Sequence, residues 1–161
     1  MDEEELREGL ADSPLMRLVS LAGHVTSQRF GRVMGRQHGL SSSGAAVLAV
    51  LGWGQGSGLD RSTPGRATHA ELARRMWLSP ATLTGILDTL EKAGYVRRER
   101  DESDRRVVWL ALTEAGAERV QAISRDAAEL FRGRLAGCDP ATEKIVREFL
   151  IDVIVSYHEK E

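Results

Sequence analysis

Two short helical patterns separated by only two or three residues constrain the fold of this chain most strongly. They lie in the stretch THAELARRMWLSPATLTGILDTLEKAG. Thr68 and Glu71 have the spacing of a capping box, in which each side chain satisfies a backbone N–H at a helix start. Ser79 is a typical N-cap, Pro80 suits the first helical position, and Gly94 is a natural stop. Two capped helices placed head to tail predict a helix-turn-helix.

A basic β-hairpin is predicted directly behind these helices. The segments YVRRERD and RVVWLALT read as strands joined by ESD, with Val108, Leu110 and Leu112 on one face. From Arg61 to Arg106 ten Arg and Lys stand against seven Asp and Glu, a balance of +3, whereas the remainder carries −5. This segment therefore has the electrostatic case for binding phosphate. A helix-turn-helix followed by a basic hairpin is a winged helix.

Further helices are predicted on both sides of this module. Apolar residues at three- and four-residue spacing predict a long helix from Pro14 to Gln37. Serine N-caps at Ser41–Ser43 precede a short, almost wholly apolar helix that should be buried. Thr113 caps a helix that continues to about Leu135, and Asp139-Pro140 begins the last one. Because the last helix is apolar on more than one side, we expect a partner subunit to cover it.

The predicted fold is mainly α with a small β-hairpin wing. A winged helix-turn-helix core is flanked by N- and C-terminal helices. The expected organisation is an N-terminal helix at 1–40, a DNA-binding lobe at 41–113 with its wing at about 95–113, and C-terminal helices at 114–161. A Gly- and Ser-rich loop is expected at Gly54–Gly65.

The second helix of the pair is predicted to enter the major groove of DNA with its N-terminal residues against base edges. The exposed set there is small and includes no Arg, Asn or Gln, the residue types that discriminate bases best. We therefore expect modest direct readout, with more specificity from DNA shape. The predicted contacts are Ser79, Pro80, Ala81, Thr82, Thr84, Gly85 and Asp88.

The hairpin tip is predicted to reach the neighbouring minor groove or backbone. We assign Arg106 to the minor groove, where negative potential favours a guanidinium. Asp104 is expected to orient that guanidinium by a bidentate bond and so reduce its ordering cost. The phosphate-contact candidates are Arg105, Thr68, Lys92, Arg97 and Arg98.

The segment LARRMWLSPATLTGILDTLEKAGYVRRERDESDRRVVWLALTEAG resembles the MarR family of bacterial transcriptional regulators. The likeness is densest in L..LE..GYV.R, D..DRR and L.LT..G, and the family's wing Asp-x-Arg falls on Asp104 and Arg106. It implies a homodimer whose N-terminal dimerisation helix at 1–40 and C-terminal dimerisation helices at 114–161 interlock. Such a dimer binds a palindromic operator, usually represses nearby genes, and often releases DNA when a small phenolic or amphipathic ligand binds. Two departures are a longer loop at Gly52–Ala67 and Gly85, where many relatives carry a longer, often basic residue.

Candidates for an effector pocket are His24, Phe30 and Trp53, with simple packing as the alternative. The histidines are scattered without i, i+4 spacing, and the single cysteine, Cys138, has no soft partner nearby, so no metal site or cofactor is predicted. A metal- or redox-sensing regulator on the same scaffold remains an alternative reading. A second is a protein-interaction module whose winged helix does not bind DNA.

The sequence contains no motif that is typical of another function class. The sequence shows no phosphate-binding glycine loop, nucleophile elbow or zinc-protease helix, so we expect no enzyme. The longest apolar run, Ala45–Trp53, is too short to cross a membrane. A lone cysteine and an acidic N-terminus without an apolar signal core favour the cytoplasm.

Overall fold

The computed structural model describes residues 2–52, 66–132 and 139–158. The helices in these ranges are α1 (Glu3–Ala11), α2 (Leu15–His38), α3 (Ser42–Gly52), α4 (His69–Met76), α5 (Pro80–Lys92), α6 (Glu114–Phe131) and α7 (Pro140–His158). The strands are β1 (Arg66–Thr68), β2 (Val96–Arg100) and β3 (Val108–Leu112). The chain divides into two compact units, Met1–Asp126 and Ala127–Glu161.

The N-terminal region holds one helix that was predicted and one that was not. The prediction of α2 is confirmed, and it ends at Gly39, whose φ of 65° is the left-handed conformation that glycine tolerates best. Helix α1 was missed because its sequence is mostly charged and has no clear apolar period. It is stabilised by a capping box between Asp2 and Glu5 and by acidic residues near the positive end of the helix dipole.

The core of the first unit lies among α2, α3, α4, α5, the N-terminal part of α6 and the sheet. Helix α3 is largely buried, as predicted, and the Ser41 hydroxyl accepts the Gly44 N–H at its start. The predicted capping box of α4 and the Ser79 cap of α5 are both present. The core side chains include Met34, Val47, Leu48, Leu51, Leu72, Leu83, Leu87, Leu90, Val96, Leu110 and Ile123.

The sheet has three antiparallel strands in the order β1-β3-β2, one more than the predicted hairpin. Strand β1 is three residues long and pairs Ala67 with Leu110. A strand this short shows no periodic pattern, and its partner strand lies far away in the sequence. The strands of the wing end at Arg100 and resume at Val108, so the connection is longer than the predicted ESD. We call residues 101–107 the wing tip.

The two C-terminal helices begin where predicted. The Thr113 hydroxyl accepts the Gly116 N–H at the start of α6, and the Asp139 carboxylate accepts two N–H groups at the start of α7. Helix α6 is described to Phe131, whereas the sequence pattern predicted about Leu135. The region from 133 to 138, like the predicted loop at Gly54–Gly65, lies outside the described residues.

Candidate nucleic-acid interface

The turn between α4 and α5 is closed by a residue in an unusual conformation. Trp77 has φ 55°, and its N–H bonds the carbonyls of Ala73 and Arg74 while Leu78 N–H also reaches Ala73. This double closure is a Schellman-type helix end, which glycine usually provides. Trp77 is 54% exposed. Sequence reasoning missed this residue because the pattern located the turn but not its backbone conformation.

The predicted contact residues at the start of α5 share one exposed face. Pro80, Ala81, Thr82 and Gly85 are exposed, while Leu83 and Leu87 of the same helix are buried. The Ser79 and Thr82 hydroxyls lie 2.8 Å apart. The face is therefore small, and its hydroxyls are partly engaged within the helix end.

Thr84 is held by two contacts within the helix pair. Its hydroxyl donates to the Pro80 carbonyl oxygen and lies 3.1 Å from Nε2 of His69 on α4. Because the hydroxyl remains exposed, it keeps capacity for one further bond to DNA.

Asp88 and Arg98, predicted as separate DNA contacts, are bound to each other. The Arg98 guanidinium donates to Asp88 at 2.9 Å and lies 3.6 Å from Glu91. Each residue would have to leave this pair to reach DNA. The pair joins β2 to α5, so it contributes to their mutual orientation.

Two other phosphate candidates are also engaged within the chain. The Thr68 hydroxyl donates to the Glu71 carboxylate in the capping box of α4, and the Arg97 guanidinium donates to Glu99. Lys92, at the end of α5, is exposed and makes no ion pair with the described residues. Unlike the other candidates outside the wing tip, Lys92 can therefore bind a phosphate without first leaving a partner among the described residues.

Asp101 organises the wing tip. Its carboxylate accepts the N–H groups of Ser103 and Asp104, the Ser103 hydroxyl, and the Trp109 indole N–H at 2.8 Å. These bonds hold the pKa of Asp101 well below its usual range, with the Ser103 hydroxyl contributing most and the Trp109 indole next. The Trp109 ring is covered by the Arg66 guanidinium, 4.5 Å from its centroid. The tip is thus fixed to the sheet.

The predicted bond between Asp104 and the Arg106 guanidinium is corrected. Asp104 instead accepts the backbone N–H of Arg106 at 3.0 Å. In a tight turn, an aspartate carboxylate lies close to the backbone N–H two residues later. The guanidinium at the end of the long Arg106 side chain would have to fold back to reach the same carboxylate. Arg105 and Arg106 are exposed, and neither guanidinium bonds an acid within the described part of the chain.

A polar cluster joins the base of the wing to α2 and α6. His38, on α2, lies 2.8 Å from Asp126, and its Nδ1 accepts from Arg119 at 3.2 Å. Arg119 also donates to the Tyr95 hydroxyl and covers the Tyr95 ring. Because arginine only donates, Nδ1 of His38 is the acceptor of this bond, and Nε2 faces Asp126. Sequence reasoning missed this cluster because its members are far apart along the chain.

The effector candidates are not brought together by the described residues. His24 is exposed and bonds Gln28 on the same helix, whereas Phe30 packs against the core. Trp53 and Cys138 lie outside the described residues, as does the side chain of His158. In the described ranges no group of three or more His, Cys, Asp or Glu could hold a metal ion.

Among the described helices, none is both long enough and apolar enough to cross a membrane.

Capped helices α4 and α5, packed on α3 and followed by an antiparallel wing, define a winged helix-turn-helix protein. The family model of the MarR family matches residues 62–108, from the approach to β1 as far as the start of β3. The resemblance to the MarR family is confirmed by this match.

Three known proteins illustrate the likeness. YwhA of Bacillus subtilis (strain 168), an HTH-type transcriptional regulator, is 32% identical over 69 residues, which cover 43% of this chain and 50% of YwhA. The chain thus spans about half the length of this relative. The p-coumaroyl-CoA complex of CouR from Rhodococcus jostii RHA1 has a TM-score of 0.73 at 25% identity, covering 89% of this chain and 93% of CouR. The MepR–DNA complex of S. aureus has a TM-score of 0.75 at 17% identity, covering 89% and 96%.

A pH titration tests the role assigned to Asp101. A carboxylate with a lowered pKa contributes its stabilisation above the ordinary aspartate value and loses it only as pH falls through the lower, folded value. We therefore expect the indole N–H resonance of Trp109 to stay constant from pH 7 to about 4, near the ordinary aspartate pKa of about 3.9, and to move only below it. The measurement is a ¹H–¹⁵N NMR titration, with the Trp77 indole reporting any general unfolding. A Trp109 midpoint at the ordinary aspartate value would contradict the assignment.

Proposed function

We propose that this chain is a sequence-specific regulator of transcription that binds double-stranded DNA as a homodimer. Helix α5 lies in the major groove and the wing tip places Arg106 in the adjacent minor groove. The observation that carries the proposal is the wing tip itself. Asp101 fixes its backbone, while the guanidinium groups of Arg105 and Arg106 stay exposed and bond no acid within the described part. The fixed backbone of the tip reduces the conformational entropy lost on binding, and the two guanidinium groups bind DNA without first breaking an ion pair among the described residues.

The surface of α5 suggests how the sequence is read. Pro80 and Ala81 offer apolar contact to a thymine methyl group, and Thr82 and Thr84 offer hydroxyl contacts. Gly85 leaves open space, because nothing lies within 4 Å of an added Cβ. We infer modest direct readout from α5 and a larger share from the width of the minor groove at Arg106.

Backbone contacts give most of the affinity in this proposal. Lys92 and Arg105 are exposed cations that reach phosphates without breaking an ion pair within the described residues. Thr68, Arg97 and Arg98 are second-line contacts, since each first leaves an intramolecular partner. Such contacts position the protein and carry no sequence information of their own.

Dimerisation is supported by exposed apolar side chains on the terminal helices. On α7 these are Ile145, Val146, Leu150, Ile151, Ile154, Val155 and Tyr157. A patch of this kind marks an interaction surface. We assign 1–40 and 114–161 to dimerisation and 41–113 to DNA binding. A two-fold dimer reads a palindrome with half-sites about 10 base pairs apart.

We further propose that the protein represses transcription and that a small amphipathic ligand releases it from DNA. The support for this part is the likeness to CouR, which is solved with p-coumaroyl-CoA. The expected assay is a loss of operator affinity on addition of aromatic acids or their thioesters. Retention of full affinity across such a panel would remove this part and leave the DNA-binding proposal in place.

Fluorescence anisotropy on duplexes tiled across the gene's own upstream region tests the DNA-binding proposal. We expect one palindromic tile to bind in the nanomolar range. Log K should fall against log salt with a slope of about −0.9 for each phosphate contacted. Weak binding that is equal for every tile and nearly independent of salt would instead favour a protein-interaction module.

A further inference from the structure

Charge is segregated between the first two helices. Helix α2 carries four arginines and no acid in its 24 residues. Helix α1 and its two caps carry six acids and one arginine. Neighbouring helices of opposite charge suggest a pairing between them, either within one chain or between two copies.

Three arginines of α2 form what we call the basic stripe: Arg29, Arg32 and Arg36. Their spacing of three and four residues places them on one face, and about 100° of rotation per residue puts that face opposite the buried Met34. All three are exposed, line a groove of about 420 Å³, and make no ion pair with the described residues. The stripe points away from the core to which α5 belongs, so DNA is the less favoured occupant.

Three acids form the acidic stripe: Glu4, Glu8 and Asp12, spaced by four along α1. They are exposed and make no ion pair within the described ranges. In contrast, Glu3 pairs with Arg7. Helix α1 buries none of its residues, so its position is not fixed by packing on its own core.

Within one chain, the acidic stripe cannot reach the far end of the basic stripe. Folded back on α2, the nine residues of α1 extend about 13 Å at 1.5 Å per residue. Arg36 lies 21 residues beyond Leu15, or about 31 Å along α2. The acids that complement the end of the basic stripe must therefore come from another molecule.

The rest of the outer face of α2 points to a second copy of this chain. Leu21 and Val25 lie on the same face as the basic stripe and are 38% and 53% exposed. Two copies of α2 that pair antiparallel about Gly23 bury these side chains. Arg32, nine residues beyond that midpoint, then lies beside Pro14 of the other copy, where α2 begins, so Arg36 extends past this point toward the acidic α1. We propose that the basic stripe of each protomer binds the acidic stripe of its partner.

The inference rests on the dimer of the proposed function, and charge reversal tests it. One full-length variant carries Arg29→Glu, Arg32→Glu and Arg36→Glu; the other carries Glu4→Lys, Glu8→Lys and Asp12→Lys. Each alone places like charges across both symmetric contacts, and we expect its dimer to dissociate at least about tenfold more readily than wild type at low salt (about 50 mM). Mixed in equal amounts, they should form a heterodimer of near wild-type affinity, because both contacts are then attractive. The measurement is energy transfer between labelled protomers on dilution.

Three other outcomes overturn the inference, and a fourth overturns only the proposal on DNA. Variants that dimerise like wild type but lose DNA binding would assign the basic stripe to DNA. Weakened variants that gain nothing on mixing would mean that α1 pairs within its own chain. A wild-type chain that is monomeric at every salt concentration would remove the dimer of the proposed function as well. A charge-dependent heterodimer without operator binding would remove the DNA proposal alone.

Discussion

Replacement of Arg106 by alanine is expected to weaken operator binding by about 1–3 kcal/mol, or roughly 5- to 150-fold. The guanidinium is exposed at the wing tip, whose backbone Asp101 and Asp104 hold in place without occupying that side chain. Its removal therefore takes away the proposed DNA contact and no intramolecular ion pair among the described residues. Anisotropy titration against the palindromic duplex measures the change, and sedimentation should show an unchanged dimer.

Two matched variants separate position from charge. Arg97→Ala removes the same charge from the wing, but its guanidinium is already bound to Glu99, so we expect a smaller loss. Arg106→Lys keeps the charge and loses the planar fork, and should fall between wild type and alanine. Equal affinity for wild type and Arg106→Ala would refute the minor-groove assignment.

The elements that were predictable from sequence are those with local signals. The capping box at Thr68, the serine cap before Pro80 and the stop at Gly94 each depend on residues within one helical turn. Because bonds of this kind form between residues of one short segment, the helix-turn-helix and the starts of α6 and α7 were predicted correctly. Helix α1 was not predicted because a capping pattern is recognised only in front of a recognisable helix, and its mostly charged residues show no apolar period.

The position of the wing tip was predicted from the sequence, but one of its predicted bonds was wrong. The sequence placed the arginines at the tip, but the role given to Asp104 belongs largely to Asp101. The signal for Asp101 was a carboxylate followed at two residues by Ser103, which is a turn pattern. Its bond to Trp109 crosses from one strand to the other and depends on register, which alternation alone does not determine.

Contacts between distant segments were beyond the sequence pattern. Asp88 and Arg98 are each plausible DNA contacts when considered singly, and their pairing follows only from the packing of β2 on α5. The same holds for β1 and for the cluster of His38, Arg119 and Tyr95. In each case the partners lie ten or more residues apart.

Replacement of Gly116 by alanine is expected to reduce the free energy of unfolding by about 2–4 kcal/mol. An added Cβ would lie 2.0 Å from the carbonyl oxygen of Tyr95, a backbone atom that cannot rotate away. That oxygen accepts the Thr113 N–H where the chain enters α6. Accommodation of the methyl group therefore requires α6 to move from the base of the wing and weakens this bond. Urea unfolding followed by circular dichroism, at fixed protein concentration, measures the loss.

Gly85→Ala is the matched control for this prediction. Gly85 is also within a helix, but nothing lies within 4 Å of its added Cβ. Without a clash, the better helix propensity of alanine should raise the free energy of unfolding by about 0.5–1 kcal/mol. Because both changes share that propensity gain, their difference isolates the approach of α6 to Tyr95. If Gly116→Ala proves as stable as Gly85→Ala, α6 and the base of the wing can separate at little cost, and the close contact between them does not contribute to the stability of the fold.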